Sequence, residues 1–200
     1  MIVIDGRTCD RSVSDFANLE EILKMILNSE EMKDRVITDV LVNGEAFSEI
    51  YPHQAEDMDS GSFSSVEVRS VPAGQMALSI SAEMEKVASM MAGASKEVAR
   101  LFRDAADSEA LDLFQRLLDV TSDFLNMIDM LCSDYAPQVP EGYKAKTEKL
   151  SEMLSEMTDV LGNEDWILLA DMLEYDFQPL CEEWREICRT LHAELAEAAK

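Results

Sequence analysis

Residues 66–101 read VEVRSVPAGQMALSISAEMEKVASMMAGASKEVARL, and a change of rhythm inside that stretch decides the fold. Before Pro72, Val66 and Val68 alternate with Glu67 and Arg69, the period of two that marks a strand with one buried face. After it, Ile80, Met84, Val87, Met91, Ala94, Val98 and Leu101 recur at alternating spacings of four and three, the seam of an amphipathic helix. Pro72 therefore predicts a boundary between an α/β part over residues 1–72 and a helical part over residues 73–200.

Working outward toward the C-terminus, the same spacing returns three times. Asp107 or Ser108 is placed to cap a second helix with the stripe Leu111, Phe114, Leu118, Thr121, Leu125, Ile128 and Cys132. Residues 135–142, with Pro137, Pro140 and Gly142, read as a loop. A third helix carries Leu150, Met153, Met157 and Val160 and ends at Gly162-Asn163. A fourth starts near Asn163 or Glu164 and shows Leu169, Leu173, Phe177, Leu180, Trp184, Ile187, Leu191 and Leu195. Four amphipathic segments on short connections predict antiparallel neighbours in an up-down bundle. Pro179 falls inside the fourth; it has no N–H for the carbonyl of Tyr175, which predicts a kink or a break.

Toward the N-terminus, residues 1–4 are apolar, Asp5-Gly6 is a hairpin signal and residues 7–13 read as the returning strand. Ser14 or Asp15 caps a helix carrying Phe16, Leu19, Ile22, Leu23 and Ile26. Residues 35–42 read as a strand, Asn43-Gly44 as a second hairpin and 45–50 as its return. Residues 51–62 read as a polar loop and 64–71 as a last strand. The opening IVIDGRTCDRSVSDFANLEEIL, residues 2–23, resembles the start of small β-grasp (ubiquitin-like) domains, in which a mixed sheet wraps one helix. The resemblance covers residues 1–72. It implies a β-grasp-like head, and together with the amphipathic segments after Pro72 the expectation is an α+β protein, mainly α overall: that head followed by an up-down bundle of about four helices. Carriers and modifiers of that fold end in a free Gly-Gly that is adenylated. Here the matching strand runs on as VRSVPAGQM, residues 68–76, so their chemistry is not expected.

Charge narrows the classes of partner. Forty-one acids against seventeen bases give −24, with a pI near 4.2. Such a field repels nucleic-acid phosphates and anionic headgroups and attracts a basic protein segment. Neither nucleic acid nor membrane is an expected partner. No apolar run approaches the ~20 residues that span a bilayer, and residues 1–12 have no basic region followed by an apolar one. Cys181 and Cys188 stand two helical turns apart, about 10 Å along the axis, too far for a disulfide. Reduced thiols, with Cys9 and Cys132, point to the cytoplasm.

The residues do not assemble a recognisable catalytic constellation. A di-iron bundle needs Glu-x-x-His pairs, and neither His53 nor His192 has a glutamate three residues earlier. Cys188 and His192, at i and i+4, could offer two zinc ligands, but Cys181 is about 16 Å from His192 along the helix, so ordinary packing is the expectation. No Gly-x-Ser-x-Gly, P-loop or Gly-x-Gly-x-x-Gly motif occurs. The cysteines sit among acids, as in LCEEWREICR, residues 180–189, the wrong field for a reactive thiolate. In DMDSGS, residues 57–62, the twelfth position of a calcium loop would be Val68, within a strand. No catalytic residue, cofactor or metal is therefore expected.

The thirteen methionines point elsewhere. Met is flexible and polarizable and suits surfaces that take varied apolar partners, although it also simply fills cores. Met90-Met91 and the pair Met127 and Met130 extend beyond a single seam, which makes Met90, Met91, Met127 and Met130 candidate partner-binding residues. The run DSEALDLFQRLLDVTSDFLNMID, residues 107–129, resembles helices of flagellar export chaperones, small acidic bundles wrapped by an extended client. As a whole the chain looks like uncharacterised bacterial proteins that pair a small α/β head with a helical tail. The expected function is a non-catalytic protein-binding adaptor, scaffold or chaperone-like role toward a basic amphipathic segment. The alternatives are an enzyme with its site between head and bundle, and an acidic mimic of nucleic acid.

Overall fold

A computed structural model describes residues 1–48, 53–136 and 138–198. The chain forms two compact units, Met1–Met76 and Ala77–Lys200.

In the first unit, β1 (Ile2–Ile4) turns through Asp5 and Gly6 into β2 (Arg7–Thr8). Both turn residues have positive φ, 46° and 80°, the conformation that tight hairpins need and that Asp and Gly tolerate. Helix α1 (Leu19–Leu27) follows, then β3 (Arg35–Val42), a turn at Asn43-Gly44, β4 (Glu45–Phe47), the single turn α2 (Gln54–Asp57) and β5 (Val66–Pro72). The sheet order is β2-β1-β5-β3-β4, with β1 and β5 parallel and the other pairs antiparallel. That is the order of the β-grasp fold. Leu19, Ile22 and Ile26 of α1 are buried with Ile2, Val66 and Val68 of the two central strands.

Local hydrogen bonding moves several predicted boundaries. The returning strand stops at Thr8, and Val13–Asp15 forms a 3-10 turn. The Asp15 carboxylate accepts from the Ser12 N–H at 2.8 Å, which commits it to that turn. The long helix is capped instead by Asn18, whose side chain accepts from Glu21 N–H at 3.0 Å, while Glu21 accepts from Ala17 N–H at 2.8 Å. The last strand begins at Val66 rather than Ser64, because Asn43 Oδ1 takes the N–H groups of Ser64 and Ser65 at 2.8 and 3.2 Å. The stretch read as a polar loop contains α2 and a 3-10 turn at Ser60–Ser62. The end of the predicted return strand, residues 49 and 50, lies outside the described residues, as do Tyr51, Pro52 and Pro137.

β5 passes directly into α3 (Ala73–Arg103), followed by α4 (Asp107–Asp134), α5 (Tyr143–Gly162), α6 (Trp166–Met172), a π-helical turn (Leu173–Phe177) and α7 (Gln178–Ala198). Within the second unit the partners run in opposite order along neighbouring helices. Ser81, Glu85 and Arg103 of α3 meet His192, Arg189 and Asp171, so α3 is antiparallel to the α6–α7 column. Tyr143 and Lys146 at the start of α5 meet Trp184 and Glu183, so α5 is antiparallel to that column as well. Trp184 is fully buried, with Phe124 and Tyr143 edge-on to it at 5.5 and 6.0 Å.

The predicted stripe of the last helix is buried at every position from Leu169 to Leu195. On α3 and α4 the predicted stripes are buried at Met84, Met91, Val98 and Leu101 and at Phe114, Thr121, Ile128 and Cys132, whereas Leu111 is exposed. The core also takes in Ala77, Ser81, Ala88, Ser95 and Phe102 on α3, and Ala110, Leu117, Phe124 and Leu131 on α4. Ser81, Ser95 and Thr121 enter the core because each hydroxyl donates to a carbonyl one turn back, at 2.6–2.9 Å. Ile80, Val87, Ala94, Leu118 and Leu125, predicted as core, stand half-buried at its edge.

The kink or break predicted at Pro179 falls where a π-helical turn, Leu173–Phe177, joins α6 to α7. Met172, Leu173 and Gln178 all keep right-handed helical dihedrals, and Gln178 N–H reaches back five residues to Leu173 O. Widening the turn just before the proline removes the demand for an ordinary bond from position 179 to Tyr175.

Candidate functional site

One of these edge residues, Ala94, lies in a depression between α3 and α4. On α3, Met90, Met91 and Ala94, and on α4, Leu113, Arg116, Leu117 and Val120, surround about 150 Å³ of open space. Met91 and Leu117 form its floor from within the core, whereas Met90 is 64% exposed and Val120 40% exposed. A methionine that exposed beside a branched apolar residue leaves apolar surface uncovered, and contiguous apolar surface is where proteins associate. Of the four candidate methionines, the structure thus brings Met90 and Met91 together. Met127 is half-buried against the core and Met130 is exposed, both farther along α4. Ala94 was read as a core seam residue of α3, and Leu113, Leu117 and Val120 were not singled out in the sequence; the signal of Leu113 and Val120 is a second apolar stripe, Leu113, Val120, Met127, at seven-residue spacing beside the main seam of α4.

A larger hollow, about 290 Å³, is lined by Ser81, Ala82, Glu85, Cys188, Arg189 and His192. The single proton of Ser81 goes to Leu78 O at 2.8 Å, so the 2.9 Å contact to His192 has Nδ1–H donating to the serine oxygen. Glu85 is engaged by Arg189 at 2.6 Å and by Arg185 at 3.4 Å rather than by the histidine. These guanidiniums hold its carboxyl below the usual range. Burial pushes the Cys188 thiol up to about 12, and Cys132 and Cys181 to about 11 and about 12. The group acts as a latch between α3 and α7: a serine with its proton spent on the backbone and a thiol kept neutral are poor nucleophiles.

In the first unit, Asp5 accepts from Ser70 N–H and Oγ–H, both at 2.7 Å, and from Arg35 at 3.1 Å. The Ser70 bonds, then Arg35, hold its carboxyl below the usual range. This fixes the β1–β2 turn onto β5 and β3. A hollow of about 400 Å³ beside it is lined by Ile4, Arg7, Glu31, Met32 and the same Asp5 and Arg35. Charges of both signs face it, and its carboxylate and guanidinium at Asp5 and Arg35 already satisfy each other. His53 pairs with Glu56 on the surface at 3.1 Å. Asp59 accepts from Gly61 N–H at 2.7 Å as the cap of a 3-10 turn. Among the described residues no group of three or more His, Cys, Asp or Glu is arranged to hold a metal, and no helix is long and apolar enough to cross a membrane.

The fold and the depression define a class: a small β-grasp-like unit followed by an acidic helical bundle with an open apolar edge. Residues 80–187 match a domain of unknown function, DUF8042, and since they make up more than half of the chain, this protein belongs to that family. Residues 1–71 match a second domain of unknown function, DUF8043. No curated protein and no solved structure matches the chain.

Proposed function

We propose that this protein is a non-catalytic, cytoplasmic adaptor, scaffold or chaperone-like protein whose bundle docks a partner protein at the depression between α3 and α4. The observation that carries the reading is the pairing of Met90, largely exposed, with Val120 over an apolar floor. With Met90 64% and Val120 40% exposed, covering what remains would contribute on the order of 1–2 kcal/mol at Met90 and about 0.6–1.2 kcal/mol at Val120, enough to anchor a modest interface. The inert chemistry of the Ser81–His192 pair and of the buried thiols supports a binding role over a catalytic one. The mimic of nucleic acid has less behind it on the α6–α7 column, where Asp171, Glu174, Glu182, Glu183 and Glu186 are spent on arginines and lysines of the protein itself.

Photocrosslinking tests the reading. A photoreactive residue at position 120 is expected to capture one protein at near-stoichiometric yield in native lysate, with capture lost when Met90 is replaced by serine. The same residue at position 167, where Ile167 is equally apolar and 60% exposed on α6, is the control. Equal capture from both positions, or capture indifferent to Met90→Ser, would overturn the proposal.

A further inference from the structure

The charge around the depression is unevenly spent. All three carboxylates of α3 are in ion pairs: Glu83 with Lys86 at 2.7 Å, Glu97 with Arg100 at 2.6 Å, and Glu85 with Arg189 at 2.6 Å. Helix α4 differs. It carries Asp107, Glu109, Asp112, Asp119, Asp123, Asp129 and Asp134 against one base, Arg116. None of these seven is in an ion pair among the described residues. Asp129 accepts from Tyr143, Asp119 from Gln115 and Asp134 from Ser133. Asp112 and Asp123 hold no hydrogen bond at all among the described residues.

Position matters more than number. Arg116 lines the depression, and Asp112, Asp119 and Asp123 stand four before, three after and seven after it, on the same helix face. Glu109 extends that row by one turn. The α4 side of the depression is therefore a row of carboxylates running parallel to the apolar row Leu113, Leu117, Val120 and Met127. On the α3 side the corresponding charges are already neutralised. An apolar stripe bordered along one side by unspent negative charge is the complement of a helix with an apolar stripe bordered by positive charge.

Resting on the reading of the depression as a docking surface, we infer that its occupant is a basic amphipathic helix. It lies along the α3–α4 edge with apolar side chains against Met90, Leu113 and Val120 and with Lys or Arg facing Asp112, Asp119 and Asp123. The open volume accepts one apolar anchor, and the apolar row from Leu113 to Met127 spans about 21 Å, or roughly four turns of partner helix. Arg116 stands among the carboxylates, so the partner's cations are expected on either side of it rather than opposite it.

The test uses the full chain and a synthetic helix of about 18 residues, with leucine at i, i+3, i+4 and i+7 and lysine flanking that stripe. Its comparators are the same peptide with glutamate for lysine and a scrambled peptide of identical composition. Binding is read by fluorescence anisotropy at low and high salt. The lysine peptide is expected to bind, the glutamate peptide not to, and the scrambled one to bind at least about tenfold more weakly. Asp112→Asn, Asp119→Asn and Asp123→Asn together are expected to weaken the lysine peptide about tenfold at low salt and to flatten its salt dependence. Met90→Ser with Val120→Ser is expected to weaken it about tenfold at both salts.

The two ideas fail differently. If the asparagine variant binds as tightly as the parent, or the glutamate peptide binds as well as the lysine one, the basic partner is wrong while the docking surface stands. If Met90→Ser with Val120→Ser changes nothing, the docking surface itself is wrong. If the scrambled peptide binds equally, the contact is unspecific charge attraction and the inference falls.

Discussion

The Ser81 hydroxyl on α3 accepts a 2.9 Å hydrogen bond from Nδ1 of His192 on α7. It does so from inside the bundle, because the buried stripe of α3 alternates Met84, Met91 and Val98 with Ser81, Ala88 and Ser95. Small residues at every other contact leave room for the neighbouring helices to fill. Ala88→Leu is therefore expected to overpack the core and cost about 1–3 kcal/mol. Ser95→Ala should stay within about 0.5 kcal/mol, since its hydroxyl bonds only to Ala92 O. Urea denaturation distinguishes them; equal costs would contradict the packing described.

Stability against pH follows from three carboxylates. Asp5 is held low by Ser70 and Arg35, Glu85 by Arg189, and Glu183 by Lys146. A folded-state pKa below the unfolded one means stabilisation that is complete above the ordinary values, 3.8 for Asp and 4.5 for Glu. It is lost as pH falls through the depressed folded values. Thermal unfolding at pH 3 to 7 should show an acid limb beginning near 4.5, and Asp5→Asn should make it shallower. A midpoint that rises steadily on acidification to pH 3 would contradict this.

Neutralising α4 should help the fold even as it harms the proposed contact. Asp112, Asp119 and Asp123 share one nearby cation, Arg116, and among the described residues form no ion pair with it, so they repel one another in a chain of net charge −24. Replacing all three with asparagine is expected to raise Tm at low salt by a few degrees. Calorimetry checks it, and a lower Tm would mean that these carboxylates have partners in the fold.

Pro179 is an exposed residue one position into α7. If the π-turn at Leu173–Phe177 already accommodates it, Pro179→Ala should be neutral or stabilising by up to about 1 kcal/mol. Hydrogen exchange should then slow through residues 173–180. A loss above about 1 kcal/mol would show that the proline holds the π-turn together.

Legibility in the sequence tracked side-chain size. The fourth helix presented its core in large residues, Leu169 through Leu195 with Trp184, so its stripe was read correctly. On α3 and α4 the seam also passes through Ser81, Ala88, Ser95 and Ala110, none of which the predicted stripes include, although Thr121 is among them and is buried. Serine reads as polar until its hydroxyl is seen bonded to a backbone carbonyl. The reading drifted by one residue onto the larger Ile80, Val87, Leu118 and Leu125, which are edge residues. The depression is hidden for a separate reason: Leu113 and Val120 belong to a minor stripe that gains meaning only once α3 lies beside it. The β-grasp order was carried by Asp5-Gly6, Asn43-Gly44 and the alternation at Val66. Strand ends were not, because side-chain captures by Asn43 and Asp15 set them.

The central claim is that the α3–α4 edge is a docking surface. It is tested most directly by labelling the methionine methyls and titrating the folded chain with the lysine-and-leucine helix while recording methyl spectra. Met90 and Met91 are expected to shift saturably, while Met153 and Met157, buried on α5, stay in place. Shifts at Met153 and Met157 as large as those at Met90, or an unmoved Met90 at saturating peptide, would contradict the claim.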